Sequence, residues 1–257
     1  MFVLLLLAGL FSASCATTPP RIITKKPDTV KKMSRAEQLK AVRALYNPPA
    51  CFTSSYRIWV KDASNKTQKV KGYLRVDNKR EALDFRFTDP IFGMTLSRVV
   101  IRDKQAYIRN PFAPAKYRKQ KAPVDRFAVS GLGKNSMVLP FRLFQDLLFA
   151  RLPGDLFLPE ARLEKKGPAE MDIFVVRSTE KYRYRFTANR LSSLLYENIR
   201  TGDQVLVELL GIYKKTLFPR QIKMRMKPPK GKPEFMWLHF DRLNLKARCA
   251  LAHFPVF

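Results

Sequence analysis

The sequence predicts a mainly β protein: a curved antiparallel sheet of about eleven strands forming an unclosed barrel, with an N-terminal helix and a mid-chain helix packing at its mouth. Three observations predict it. From Cys51 onward apolar residues recur at a period of two, which puts successive side chains on opposite faces of a strand. Turn formers such as Ser64-Asn65-Lys66 and Asp77-Asn78-Lys79 separate the first runs. In residues 182–186 and 222–227 apolar and cationic residues alternate one for one, so the sheet has one apolar and one strongly basic face. A twisted sheet this long must curl to protect its edges.

The elements follow in order. Residues 2–11 are apolar and lead through Ser12-Ala13-Ser14 to Cys15. About ten apolar residues are too few to cross a hydrocarbon core but suit a signal peptide. The small residues admit a peptidase, and a cysteine after the cut is what lipid attachment requires. Residues 1–14 therefore read as a lipoprotein signal and Cys15 as the lipidated start of the mature chain. A plain secretory signal with an incidental cysteine and a retained anchor are the other readings. Residues 15–33 read as the acylated cysteine and a basic, proline-bearing tether, and residues 34–257 as the folded domain.

Ser34 with Glu37 forms a capping box, and Leu39, Val42, Leu45 and Tyr46 stripe a helix over 35–46 that stops before Pro48-Pro49. From Cys51 onward strands are expected, with alternation at 56–61, 69–76 and 83–87 and the meander continuing at 95–101 and 106–109. Residues 138–152 read as the second helix, with Pro140 in its first turn and Pro153-Gly154 as its stop. Strands return at 171–178, 182–187, 191–198, 205–213, 222–227 and 236–245.

With 49 Lys+Arg against 21 Asp+Glu the formal charge is +28, and anionic partners are expected. An exported chain meets anionic headgroups and acidic glycans rather than nucleic acid, although the charge also serves solubility. Lys71, Arg75, Arg183, Arg185, Lys223 and Arg225 stand on the basic face as candidate headgroup contacts. Cys51 and Cys249 form a bridge in an oxidising compartment or remain two buried thiols. No catalytic constellation, metal cluster or cofactor motif emerges, and the sequence gives no reason to expect an enzyme. His239 and Asp241 share a strand face, which reads as incidental.

Two apolar groups are candidate sites. The first is the interior set Ile58, Leu74, Phe85, Phe87, Leu96, Phe174, Phe186, Met224, Met226 and Leu238, read either as a filled core or as a lining that accepts acyl chains. The second is the turn Asp89-Pro90-Ile91-Phe92-Gly93-Met94, where Ile91 and Phe92 offer a contact surface or fold back over the barrel mouth.

The order of lipobox, tether, short helix and long meander, with Asp-Pro-Ile-Phe-Gly after the third strand, resembles the LolA/LolB superfamily of lipoprotein carriers and receptors, especially its lipoprotein branch. Pro90-Ile91-Phe92-Gly93 is similar to the receptor's Pro-Leu-Gly turn with one residue inserted. Residues 143–152 followed by Leu156-Phe157-Leu158-Pro159 resemble its later part. The resemblance implies an unclosed barrel that binds lipid or the acyl chains of a lipoprotein on its apolar concave side. It makes Ile91 and Phe92 the membrane contacts and places the protein in the cell envelope, anchored to the outer membrane and facing the periplasm. The alternative is a non-catalytic adaptor that docks acidic glycan or a protein partner through its basic face.

Overall fold

The computed structural model describes residues 34–126, 128–130, 138–213 and 216–257. Cys15, the signal and the tether lie outside the described residues. Helix α1 (Arg35–Leu45) begins at the expected capping box, in which Ser34 Oγ accepts from Glu37 N–H and the Glu37 carboxylate accepts from Ser34 N–H. Its Val42 is buried, and the Arg35 guanidinium donates to the Leu158 carbonyl at 2.7 Å.

Six strands then form a meander: β1 (Cys51–Lys61), β2 (Thr67–Asp77), β3 (Ala82–Thr88), β4 (Thr95–Arg102), β5 (Gln105–Arg109) and β6 (Lys119–Pro123). A separate short pair, β7 (Ala128–Ser130) and β8 (Val138–Pro140), precedes helix α2 (Arg142–Leu148). The chain reaches the far edge of the main sheet at β9 (Arg162–Lys165). It meanders back through β10 (Glu170–Arg177), β11 (Glu180–Thr187), β12 (Arg190–Asn198), β13 (Gln204–Ile212) and β14 (Pro219–Lys227) to β15 (Glu234–Asn244), which pairs with β1.

The result is one curved, antiparallel sheet of thirteen strands, open between β6 and β9. Thirteen rather than eleven strands is a correction, and its cause is physical. The two additional strands are the edges, Lys119-Gln120-Lys121-Ala122-Pro123 and Arg162-Leu163-Glu164-Lys165. Charge and proline blunt an edge against pairing with another chain, and the same charge erases the period-two signal. The second helix is also shorter than expected: Val138–Pro140 pairs with Ala128–Ser130, and Ala150 at φ 55° turns the chain out of the helix.

The inner face is the apolar one. Tyr56, Leu74, Ile173, Phe186, Met224, Met226 and Phe240 are buried there together with Leu143, Phe144, Leu147 and Leu148 of α2. Gly72 makes one contact of this core possible. Tyr56 Oη donates to the Arg86 carbonyl at 2.6 Å through the space a Cβ on residue 72 would occupy, 2.1 Å from that carbonyl oxygen.

At one end of the outer face the C-terminal tail folds back. Phe254 is fully buried with Ala82 and Val100, and Tyr107, Cys249 and Phe257 pack beside them. Cys51 and Cys249 are bonded there, with Cα atoms 5.9 Å apart across 198 residues of sequence.

Candidate functional site

The turn between β3 and β4 is the most exposed apolar feature. Ile91 is 80 % and Phe92 75 % exposed, and Met94 stands beside them at 51 %. The turn does not fold back. Asp89 Oδ1 accepts from the N–H groups of Ile91 at 2.9 Å and Phe92 at 2.7 Å, an Asx turn. The Gly93 N–H donates to the Asp89 carbonyl, and Gly93 takes φ 69°, a left-handed conformation that costs glycine least. Lys71 Nζ reaches the Pro90 carbonyl at 3.4 Å, so this cation belongs to the turn.

Because alternate strands are antiparallel, the β5–β6 loop stands at the same rim as the β3–β4 turn. It exposes Phe112 at 67 % and Tyr117 at 47 %, with Lys116 Nζ 4.7 Å from the Tyr117 ring centroid. Sequence reasoning missed this second apolar tip. Its signal was present in Asn110-Pro111-Phe112, an apolar residue beside turn formers.

The interior residues divide. Ile58, Leu74, Phe186, Met224, Met226 and Leu238 are buried in the core. Phe85 and Phe87 are partly buried against it, as are Val70, Ile108 and Met236. These five lie between mid-strand and the rim that carries the exposed turn, while Leu209, Tyr213, Leu243 and Leu245 toward the opposite rim are partly buried as well.

Two residues do not join the interior. Leu96 is the extra residue of a bulge, since Phe87 opposes Ser97 while Thr88 opposes Thr95. Phe174 faces outward, with the Arg162 and Arg183 guanidiniums 5.4 and 5.7 Å from its ring centroid. Ile173 and Val175 take the inward positions of β10, and Phe174 has the opposite parity.

The basic face is less free than its sequence suggests. Asp172 on β10 is buried and accepts from both Arg183 and Arg185. Burial pushes its carboxyl up, but the Arg185 and Arg183 hydrogen bonds outweigh this and hold it below the usual range. Asp172 thus takes up the Nε/Nη2 edge of both guanidiniums and offsets one of their two charges. Arg75 lies over Tyr73, 5.6 Å from the ring centroid.

Lys223 and Arg225 border an aromatic row. The chain's two tryptophans, Trp59 and Trp237, oppose each other, flanked in register by Lys69 and Lys223. Phe235 stacks on Trp237 with centroids 5.8 Å apart, and Arg225 lies over Phe235. Trp59, Trp237, Gln221, Leu238 and His239 line an open depression of about 260 Å³. His239 and Asp241 do meet here, at 3.5 Å, and Arg57 ties Asp241 from β1.

No family model and no curated protein matches the sequence. Solved structures do match the fold. A DUF1329 family protein from Desulfovibrio piger superposes with TM-score 0.58 at 10 % identity, covering 86 % of this chain and 95 % of that one. A LolA superfamily protein from Nitrosomonas europaea gives 0.54 at 10 % identity, covering 87 % and 98 %. A domain assigned to outer membrane lipoprotein sorting from Vibrio parahaemolyticus gives 0.54 at 11 %, covering 85 % and 94 %. The open thirteen-stranded sheet with its short helices thus shares its fold with this LolA superfamily protein, the lipoprotein-sorting domain and the DUF1329 protein.

Proposed function

We propose that this chain is a cell-envelope lipoprotein that binds lipid, or the acyl chains of a lipoprotein, at the rim end of its inner face and takes part in lipid or lipoprotein transport. The observation that carries the proposal is the turn at Ile91 and Phe92. Two large apolar side chains at 80 % and 75 % exposure, fixed by an Asx turn, are costly to leave in water and fit insertion into an acyl layer. The partly covered Val70, Phe85, Phe87, Ile108 and Met236 lie between mid-strand and the same rim and offer an apolar path inward. The LolA superfamily protein and the lipoprotein-sorting domain that share this fold support the same class of cargo. No helix among the described residues is long and apolar enough to cross a membrane.

A second reading has its own support. The row Lys69, Trp59, Trp237, Lys223 suits an acidic glycan, whose rings stack on indoles while cations meet its acid groups. The two readings rank variants oppositely. Under the lipid reading Ile91→Asp with Phe92→Asp abolishes co-sedimentation of the protein lacking Cys15 with phospholipid vesicles. It leaves the melting temperature unchanged and removes lipid found by mass spectrometry in organic extracts of purified protein. Under the glycan reading those variants keep full activity and Lys223→Glu with Arg225→Glu abolishes binding. Wild-type protein that carries no lipid and ignores vesicles would sink the lipid reading.

A further inference from the structure

On the outer face just below the exposed rim, cations stand in register on four adjacent strands. Arg86 on β3 opposes Arg98 on β4, Arg98 opposes Arg109 on β5, and Arg109 opposes Lys119 on β6. Like charges directly opposite one another across strands are destabilising. A row of four is therefore a cost that something must offset. One carboxylate does so in part. Asp84 is fully buried and receives Arg98 Nε at 2.7 Å, Arg98 Nη2 at 2.9 Å and Arg86 Nε at 2.9 Å. It holds the Arg86 and Arg98 forks in place. Among the described residues no carboxylate lies within ion-pair distance of Arg109 or Lys119. The row thus carries four positive charges against one negative.

The row also forms a recess. Arg86, Thr95, Arg98, Arg109 and Pro111 line an open depression of about 230 Å³. Its position is the second argument. Thr95 directly follows Met94 of one exposed apolar turn, and Pro111 directly precedes Phe112 of the other. Any surface that receives Ile91, Phe92 and Phe112 as apolar anchors brings its polar layer to the level of this recess. Guanidinium forks match phosphate oxygens in a bidentate way, and the Thr95 hydroxyl adds a donor.

We propose that the recess lined by Arg86, Arg98 and Arg109, with Lys119 beside Arg109 on the neighbouring strand, binds the phosphate of an anionic lipid headgroup while the two flanking tips enter the acyl layer. This rests on the membrane-contact reading above and adds to it a headgroup site with a chemical class. The excess of three positive charges favours a doubly charged phosphomonoester over a singly charged diester. Asp84 is a positioning residue, since it aims two forks without meeting the ligand.

The test is vesicle co-sedimentation of the protein lacking Cys15, with phosphatidic acid, phosphatidylglycerol or phosphatidylcholine as the varied lipid. Arg109→Gln with Lys119→Gln is the site variant, chosen because neither side chain is bound to Asp84. Lys246→Gln with Arg248→Gln, an equal loss of charge at exposed residues after β15, is the control. The proposal expects wild type to prefer phosphatidic acid, the site variant to lose about tenfold or more in apparent affinity, and the control to lose about twofold or less.

Equal losses in both variants would mean diffuse electrostatics and would overturn the site. So would inorganic phosphate binding in calorimetry as tightly as the vesicles do, which assigns the recess to a free anion. The underlying reading fails differently. If Ile91→Asp with Phe92→Asp binds vesicles as wild type does while the site variant loses binding, the recess stands and the apolar insertion does not.

Discussion

Asp146 on α2 shows what a single side chain contributes. Burial raises its carboxyl to about 6, against the opposing pull of Arg151 and with Asp155 and Glu81 adding repulsion. A folded-state value above the unfolded one means that this group favours the native state while protonated, at pH below about 4. That contribution is lost as the pH rises through about 6. Asp146→Asn should therefore raise stability at pH 8 by about 1 kcal/mol and change little at pH 4, as denaturant unfolding at the two pH values would show. The result would be contradicted by a loss of stability at pH 8. Sequence reasoning saw α2 as an apolar stripe and had no means to see this carboxyl, because its surroundings come from a distant turn and from the loop after the helix.

At the scale of elements, two buried carboxylates organise the outer face. Asp84 draws together arginines of β3 and β4, and Asp172 draws together Arg183 and Arg185 of β11 beneath β10. Removing Asp172 leaves two half-exposed arginines facing each other without compensation. Asp172→Asn should cost about 2 kcal/mol in urea unfolding, and Asp172→Ala no less. An unchanged midpoint would show that water already neutralises the pair. The alternation of Tyr182-Arg183-Tyr184-Arg185-Phe186 was legible as a strand with one cationic face. That those cations share one buried carboxylate was not legible, since Asp172 lies eleven residues from Arg183 in sequence. The same limit placed Phe174 on the wrong side, because a run of Ile173-Phe174-Val175-Val176 is apolar at both parities and does not reveal which parity faces in. The edge strands β6 and β9 were hidden by the charge that protects them.

For the whole molecule, the disulfide closes the chain on itself. It joins the first strand, at the centre of the sheet, to the tail that covers Ala82 and Val100, across 198 residues. On a chain-entropy account such a loop is worth about 5 kcal/mol. Cys51→Ser with Cys249→Ser should lower the melting temperature by several degrees, and amide exchange should speed up around Phe254 before the inner core opens. Protection of the tail equal to that of wild type would show that Phe254 alone holds it.

Local chemistry was enough for the sequence to determine the class of the fold, the capping box of α1, most strand positions and the two-faced character of the sheet. It also marked Ile91 and Phe92, because an apolar pair between turn formers stands out in one dimension. Only the tertiary structure decided that this turn projects into solvent and that Phe112 stands at the same rim. It also set which arginines are tied to carboxylates, and it built a row of four cations from four separate strands. Register is the reason. Strand period follows from each side chain in turn, whereas which residues lie side by side depends on hydrogen-bond pairing between segments far apart in the chain, and nothing local to either segment encodes it.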